Sequence, residues 1–123
     1  MTKKKILVVD DEIDIVELIK DYLEHEEYVV LTASNGTSAL TLAANERPDL
    51  ITLDIMMAEK DGYETCLLLK ENQTTSGIPI IMVTGRESQQ AALAAQSFGA
   101  DSYLSKPFQL TELREQIQKL LGE

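Results

Sequence analysis

Short apolar runs alternate along this chain with longer stretches of helical period. Ile6–Val9 is a continuous apolar run with the length of a buried strand. From about Glu12 to His25, the spacing of Ile15, Leu18, Ile19, Tyr22 and Leu23 predicts a helix with one apolar face. Tyr28–Thr32 is rich in β-formers. A helix over Thr37–Glu46 carries Ala39, Leu40 and Ala43 on one side, and Pro48 stops it ahead of a strand over Leu50–Leu53. Asp61-Gly62 reads as a turn, with Asp61 capping a helix through about Glu71. A strand over Ile78–Val83 follows, then an Ala-rich helix over Ser88–Phe98 closed by Gly99. The last strand is read over Asp101–Leu104. Leu110, Leu113, Ile117, Leu120 and Leu121 stripe the last helix.

This is a βα unit repeated five times. Each strand is almost wholly apolar, as expected when helices cover both faces of a parallel sheet. Right-handed crossovers then give an α/β, doubly wound five-stranded parallel sheet. The length of 123 residues suits one domain, 1–123, and no repeat or linker divides it. Apolar content of 44% fits a soluble globular chain. A net charge of −10 argues against direct nucleic-acid binding by this domain, since phosphates would be repelled. No apolar stretch reaches the roughly 18 residues of a membrane span. The start, Met1-Thr2-Lys3-Lys4-Lys5, lacks the apolar stretch of a secretory signal. The single Cys66 cannot form an internal disulfide, which suits a cytoplasmic setting, and its apolar helical context makes it a packing residue.

In doubly wound sheets, ligands lie beyond the carboxyl ends of the strands. Asp10 and Asp11 close the first apolar run and Asp54 closes the third; Thr84 follows the fourth and Lys106 the last. Each alone has a plain structural explanation. Asp10-Asp11-Glu12 reads as a helix cap with dipole-compensating acids, Asp54 as a loop aspartate, Thr84 as a strand-end residue, and Lys106-Pro107 as a turn with a solvated lysine. Together they converge on one sheet edge. Three carboxylates there suit Mg²⁺, which takes hard oxygen ligands and relieves their mutual repulsion. A carboxylate nucleophile forms an aspartyl phosphate. Lys106 can pair with one phosphoryl oxygen while the Thr84 hydroxyl donates to another. His25 reads as a surface residue, and Met56 and Met57 as core or loop filler.

With these residues placed, the chain closely resembles the receiver domain of two-component response regulators. Val9-Asp10-Asp11-Glu12, Leu53-Asp54-Ile55-Met56-Met57 followed by Asp61-Gly62, Val83-Thr84-Gly85, and Ser105-Lys106-Pro107-Phe108 carry the resemblance. It implies a flavodoxin-like strand order, 2-1-3-4-5. It implies that Asp54 accepts a phosphoryl group from a phosphohistidine on a sensor histidine kinase or histidine phosphotransfer protein. Mg²⁺ (or Mn²⁺) would be held by Asp11, Asp54 and the Met56 backbone carbonyl, with Asp10 acting through water. Lys106 would partner phosphate and carboxylate, Thr84 and Tyr103 would form the switch pair, and Lys106-Pro107 would be cis. The chain would be no enzyme beyond self-catalysed phosphoryl acceptance and slow autodephosphorylation. Output would pass to a partner or to self-association through the fourth helix, last strand and last helix. One departure is Ala58, where the family usually has Pro; it predicts a less rigid Ala58-Glu59-Lys60 loop.

The competing reading is a receiver-like scaffold that binds partners without being phosphorylated, which has no need for three converging carboxylates. A phosphohydrolase is disfavoured because Met56 stands where such enzymes commonly place a second acid. Met56 and Arg86 would flank the path of attacking water without assisting it, which predicts a long-lived phosphorylated state. Ile13 and Val16, off the main stripe of the first helix, are expected to form an apolar rim with Pro107 and Phe108 that meets the donor, joined by Ala58 and Lys60. Gly122 ends the last helix in a way that suits a stand-alone regulator or part of a longer chain.

Overall fold

In a computed structural model, which describes residues 3–55, 62–85, 93–94 and 96–123, the apolar runs become five parallel strands. They are β1 (Lys5–Val9), β2 (Val29–Ala33), β3 (Leu50–Asp54), β4 (Ile80–Thr84) and β5 (Ser102–Ser105), in the order β2-β1-β3-β4-β5. Four helices accompany them among the described residues: α1 (Ile13–His25), α2 (Gly36–Glu46), α3 (Gly62–Glu71) and α4 (Leu110–Leu121). Residues 93, 94, 96 and 97 are helical as well. Both the doubly wound sheet and the flavodoxin-like order are as expected.

The central runs lack polar alternation because β1, β3 and β4 each feed two cores. Leu7, Val9, Ile51, Leu53 and Met82 pack with Ala39, Ala43, Cys66 and Leu69 of α2 and α3. Ile6, Val8, Leu50, Ile81 and Leu104 pack with Ile19, Leu23, Leu113 and Ile117 of α1 and α4. Burying one such aliphatic side chain is worth about 1.5–3 kcal/mol, so these layers dominate the fold's stability. Cys66 is fully buried, its thiol donates to the Phe98 carbonyl at 3.4 Å, and burial pushes its pKa up to about 11. It packs, as its sequence context indicated.

Helix ends follow local chemistry. The Asn35 side chain accepts from Ser38 N at 2.8 Å to open α2, and Arg47, in the left-handed region, closes it before Pro48. Glu112 accepts from Gln109 N at 3.0 Å in a capping box at α4. Several boundaries differ from the sequence reading by one or two residues, each where a backbone group is engaged elsewhere or missing. Asp10 Oδ1 accepts from Glu12 N at 3.0 Å, so α1 begins at Ile13. Pro79 has no N–H to give a ladder, and β4 begins at Ile80 rather than Ile78. The Asp101 carboxylate accepts from Ile80 N at 2.8 Å and from Lys70 Nζ at 3.0 Å, and β5 begins one residue later than expected. Leu18, expected on the buried stripe of α1, is 55% exposed. Met56, Met57, Asp61, Arg86 and the Ala58-Glu59-Lys60 loop lie outside the described residues.

The register aligns the carboxyl ends of the strands. Val9 pairs with Leu53, Asp54 with Val83, and Thr84 with Ser105. The start of α3 is pressed against the end of β3. Gly62 N donates to the Ile55 carbonyl at 2.9 Å, and a Cβ on Gly62 would stand 2.5 Å from both the Asp54 carbonyl oxygen and Ile55 Cα. Both obstacles are backbone, so neither can rotate away. Gly62→Ala should therefore destabilise the protein by about 1–3 kcal/mol. A lower urea midpoint with an unchanged m-value is the expected result, and an unchanged midpoint would show that α3 shifts freely.

Candidate functional site

Each polar residue singled out in the sequence ends a strand or follows one. Asp54 is the last residue of β3 and is 3% exposed. Asp10 follows β1 and is equally buried; its N–H continues the sheet by donating to the Ala33 carbonyl at 3.1 Å. Asp11 is exposed. One carboxylate oxygen from each of Asp10, Asp11 and Asp54 lies within 4.8 Å of the others. Thr84 ends β4 and is buried, while Tyr103 lies on β5 opposite Met82 and is 37% exposed.

Lys106 reaches into this cluster from the loop after β5. Its Nζ donates to Asp10 Oδ2 at 3.2 Å and stands 3.7 Å from Asp54 Oδ2 and 3.9 Å from Glu12 Oε1. Its backbone N–H donates to the Thr84 carbonyl at 2.6 Å, and the Lys106-Pro107 bond is cis, as the resemblance implied. Partial burial alone would lower the Lys106 pKa. The Asp54 and Asp10 carboxylates outweigh it and raise the pKa above the ordinary lysine value. The ammonium is thus held charged.

Three carboxylates against one ammonium leave an excess of two formal negative charges among these four groups. The donors are all hard oxygens, two of them buried. That set fits Mg²⁺ or Mn²⁺ and would not suit a soft metal. Met56, whose carbonyl is expected to complete the set, lies outside the described residues. Two contacts are not legible in the sequence. Glu12 reads as a dipole-compensating acid and a motif residue, and its carboxylate also faces Lys106. Gly62 reads as part of a turn and a motif, and its missing side chain is what lets α3 start against the Asp54 carbonyl.

The expected apolar rim divides into two clefts, one on each side of α1. Pro107 and Phe108 share a groove of about 390 Å³ with Ile15, Leu18, Lys106 and Leu110. Ile13 and Val16 line a separate one with α2. Helical spacing explains the division, since positions 13 and 16 and positions 15 and 18 flank opposite sides of the buried stripe.

The profile of the response regulator receiver domain family matches residues 6–118. The chain is 42% identical over 118 residues to the alkaline phosphatase synthesis transcriptional regulatory protein PhoP of Bacillus subtilis (strain 168), covering 96% of this chain and 48% of that protein. It is 42% identical over 117 residues to the response regulator MprA of Mycobacterium sp. (strain KMS), covering 95% and 50%. It therefore spans about half the length of these curated relatives. Among solved structures, Vibrio cholerae chemotaxis protein CheY4 superimposes with a TM-score of 0.93 at 31% identity, covering 98% of this chain and 100% of that one. A CheY-like receiver domain protein from Methanospirillum hungatei JF-1 gives 0.91 at 32% identity, covering 98% and 95%. The match runs through all four motif segments on this same strand order, and the chain belongs to the response regulator receiver domain family of two-component signal transduction.

Proposed function

We propose that residues 1–123 act as one receiver domain, a signalling switch set by phosphorylation of Asp54. The observation that carries this reading is the gathering of the Asp10, Asp11 and Asp54 carboxylates at one sheet edge, with the Lys106 ammonium against Asp10 and Asp54. In the reaction, an Asp54 oxygen attacks the phosphorus of a phosphohistidine. The O–P bond forms, the N–P bond breaks, and the departing imidazole takes up a proton. Lys106 moves its contact from carboxylate to phosphoryl oxygen and neutralises charge there. Thr84 donates its hydroxyl to another phosphoryl oxygen. Asp11, Asp54 and the Met56 carbonyl would hold Mg²⁺ or Mn²⁺, with Asp10 through water; when bound, the ion supplies charge neutralisation on the phosphoryl oxygens.

The donor is a sensor histidine kinase or histidine phosphotransfer protein, and the Pro107–Phe108 groove beside Lys106 is an apolar surface for it to meet. The setting is cytoplasmic. Among the described residues no helix is long and apolar enough to cross a membrane, and with a net charge of −10 this domain makes no direct contact with nucleic acid. Catalysis is confined to the domain's own phosphorylation and its slow reversal.

Acetyl phosphate with Mg²⁺ should add one phosphoryl group by intact mass, and none to Asp54→Ala. Lys106→Ala should slow labelling by about 10²-fold. Labelling of Asp54→Ala to completion, or of wild type in excess chelator, would refute the assignment.

Switching follows from Thr84 turning toward the phosphoryl group. Tyr103 then fills the vacated space, which changes the surface formed by helical residues 93, 94, 96 and 97, β5 and α4. That surface, away from the acidic side of α1, carries the signal to an output partner or to self-association. Beryllofluoride should shift NMR resonances within residues 84–108, and an unchanged spectrum there would sink this account.

The phosphorylated state should also be long-lived. Met56 has no strong hydrogen-bonding group to orient attacking water, and Arg86 cannot act as a base at neutral pH. Purified phosphoprotein should decay over minutes or longer, and faster in Met56→Asn and Arg86→Glu. Complete loss within seconds would contradict this.

A further inference from the structure

A second cleft, of about 620 Å³, opens over the carboxyl ends of β1 and β2. α1 walls it on one face of the sheet and α2 on the other, because the two helices pack on opposite cores. Ile13, Val16 and Leu42 give it apolar walls, and Ile13 is 70% exposed. Ser34, Thr37, Ser38 and Thr41 add hydroxyls. Among the described residues, Asp10 and Glu17 are its charged lining residues and no lysine or arginine lines it. Asp10 is already committed, accepting from Lys106 Nζ and from Glu12 N. Glu17 is exposed at the rim, and the outward side of α1 continues its charge through Asp14, Asp21 and Glu24, all exposed, with Lys20 as the one lysine of the helix.

We propose that this cleft docks a segment of a partner protein in which a large apolar side chain is flanked by lysine or arginine. The apolar side chain lies against Ile13, Val16 and Leu42, where contact removes exposed aliphatic surface from water. The flanking cations meet Glu17 and Asp14 and donate to the hydroxyls of α2. Complementarity of charge selects this occupant. An acidic segment would face the like charge of Asp14, Glu17, Asp21 and Glu24, with Lys20 alone to offset it, and the net charge of −10 disfavours a second copy seated on this acidic face. The cleft is separate from the groove beside Lys106, so an occupant here leaves the approach to Asp54 open from that side. The proposal does not depend on Asp54 being phosphorylated.

The test uses ¹⁵N-labelled protein and two capped synthetic peptides, each with a leucine-phenylalanine centre, one flanked by arginines and the other by glutamates. The arginine peptide should shift amides within residues 13–17 and 34–42, with affinity that falls as salt rises. The glutamate peptide should not bind. Glu17→Lys, an exposed change that leaves the core untouched, should weaken the arginine peptide by about fivefold or more. Thr41→Trp, checked for folding by circular dichroism, should abolish binding by filling the cleft. Equal binding of the two peptides, shifts centred on Leu18 and Pro107, or indifference to Glu17→Lys would each overturn the proposal. Labelling of Asp54 by acetyl phosphate should be unchanged in Glu17→Lys, so failure here leaves the phosphorylation reading separately testable.

Discussion

Asp10, just past β1, and Asp54, at the end of the neighbouring β3, are carboxylates buried to the same degree, with Asp11 beside them, and the sheet register holds their backbones side by side. Two like charges about 4 Å apart repel by on the order of 4 kcal/mol at the effective dielectric of a protein surface. The Lys106 ammonium offsets part of this, and the same interaction raises its own pKa against the opposing effect of burial. One ammonium cannot balance three carboxylates. The site is therefore built with an electrostatic deficit, which a divalent cation would relieve, and its chemistry follows from that deficit.

The backbone makes this arrangement tolerable. Parallel strands with aligned carboxyl ends present their last residues along one edge, and the apolar cores on both faces hold that edge rigid. Gly62 shows how tightly. α3 begins against the Asp54 carbonyl itself, so the end of β3 is fixed from above as well as from its neighbours. A carboxylate kept so close to two others needs such restraint, since relaxation of the backbone would be the easiest way to reduce the repulsion.

The fold was legible because most of the strand runs are largely apolar and helical segments of clear period separate them. Asp10, Asp11, Asp54, Thr84 and Lys106 were legible as a site because the end of an apolar run is also the end of a strand. What sequence periodicity could not supply were hydrogen bonds between distant residues. The Asp101 carboxylate caps the start of β4 across an interval of 21 residues, and no local pattern announces it. Nor does spacing say how far a stripe stays covered. Leu18 fits the helical period as well as Ile19 does, yet α4 and the loop after β5 leave it open in a groove. Glu12 was assigned to the helix dipole because Lys106 lies 94 residues away in sequence and 3.9 Å away in space.

The connection from Lys106 to Thr84 bears on how the proposed switch would work. The Lys106 N–H donates to the Thr84 carbonyl at 2.6 Å, so the loop bearing the ammonium hangs from the residue whose hydroxyl is proposed to move. Thr84 can turn its side chain toward a phosphoryl group while its carbonyl keeps this bond, because rotation about χ1 leaves the backbone in place. The consequence of that rotation falls on β5. This edge strand carries the exposed Tyr103 on one side, and on the other Ser102, whose hydroxyl donates to Gln116 of α4 at 2.6 Å. The central strands, buried on both faces, have no room to respond. An edge strand tied to a helix by a side-chain hydrogen bond does, and on the proposed reading a change that begins at Asp54 reaches the surface there.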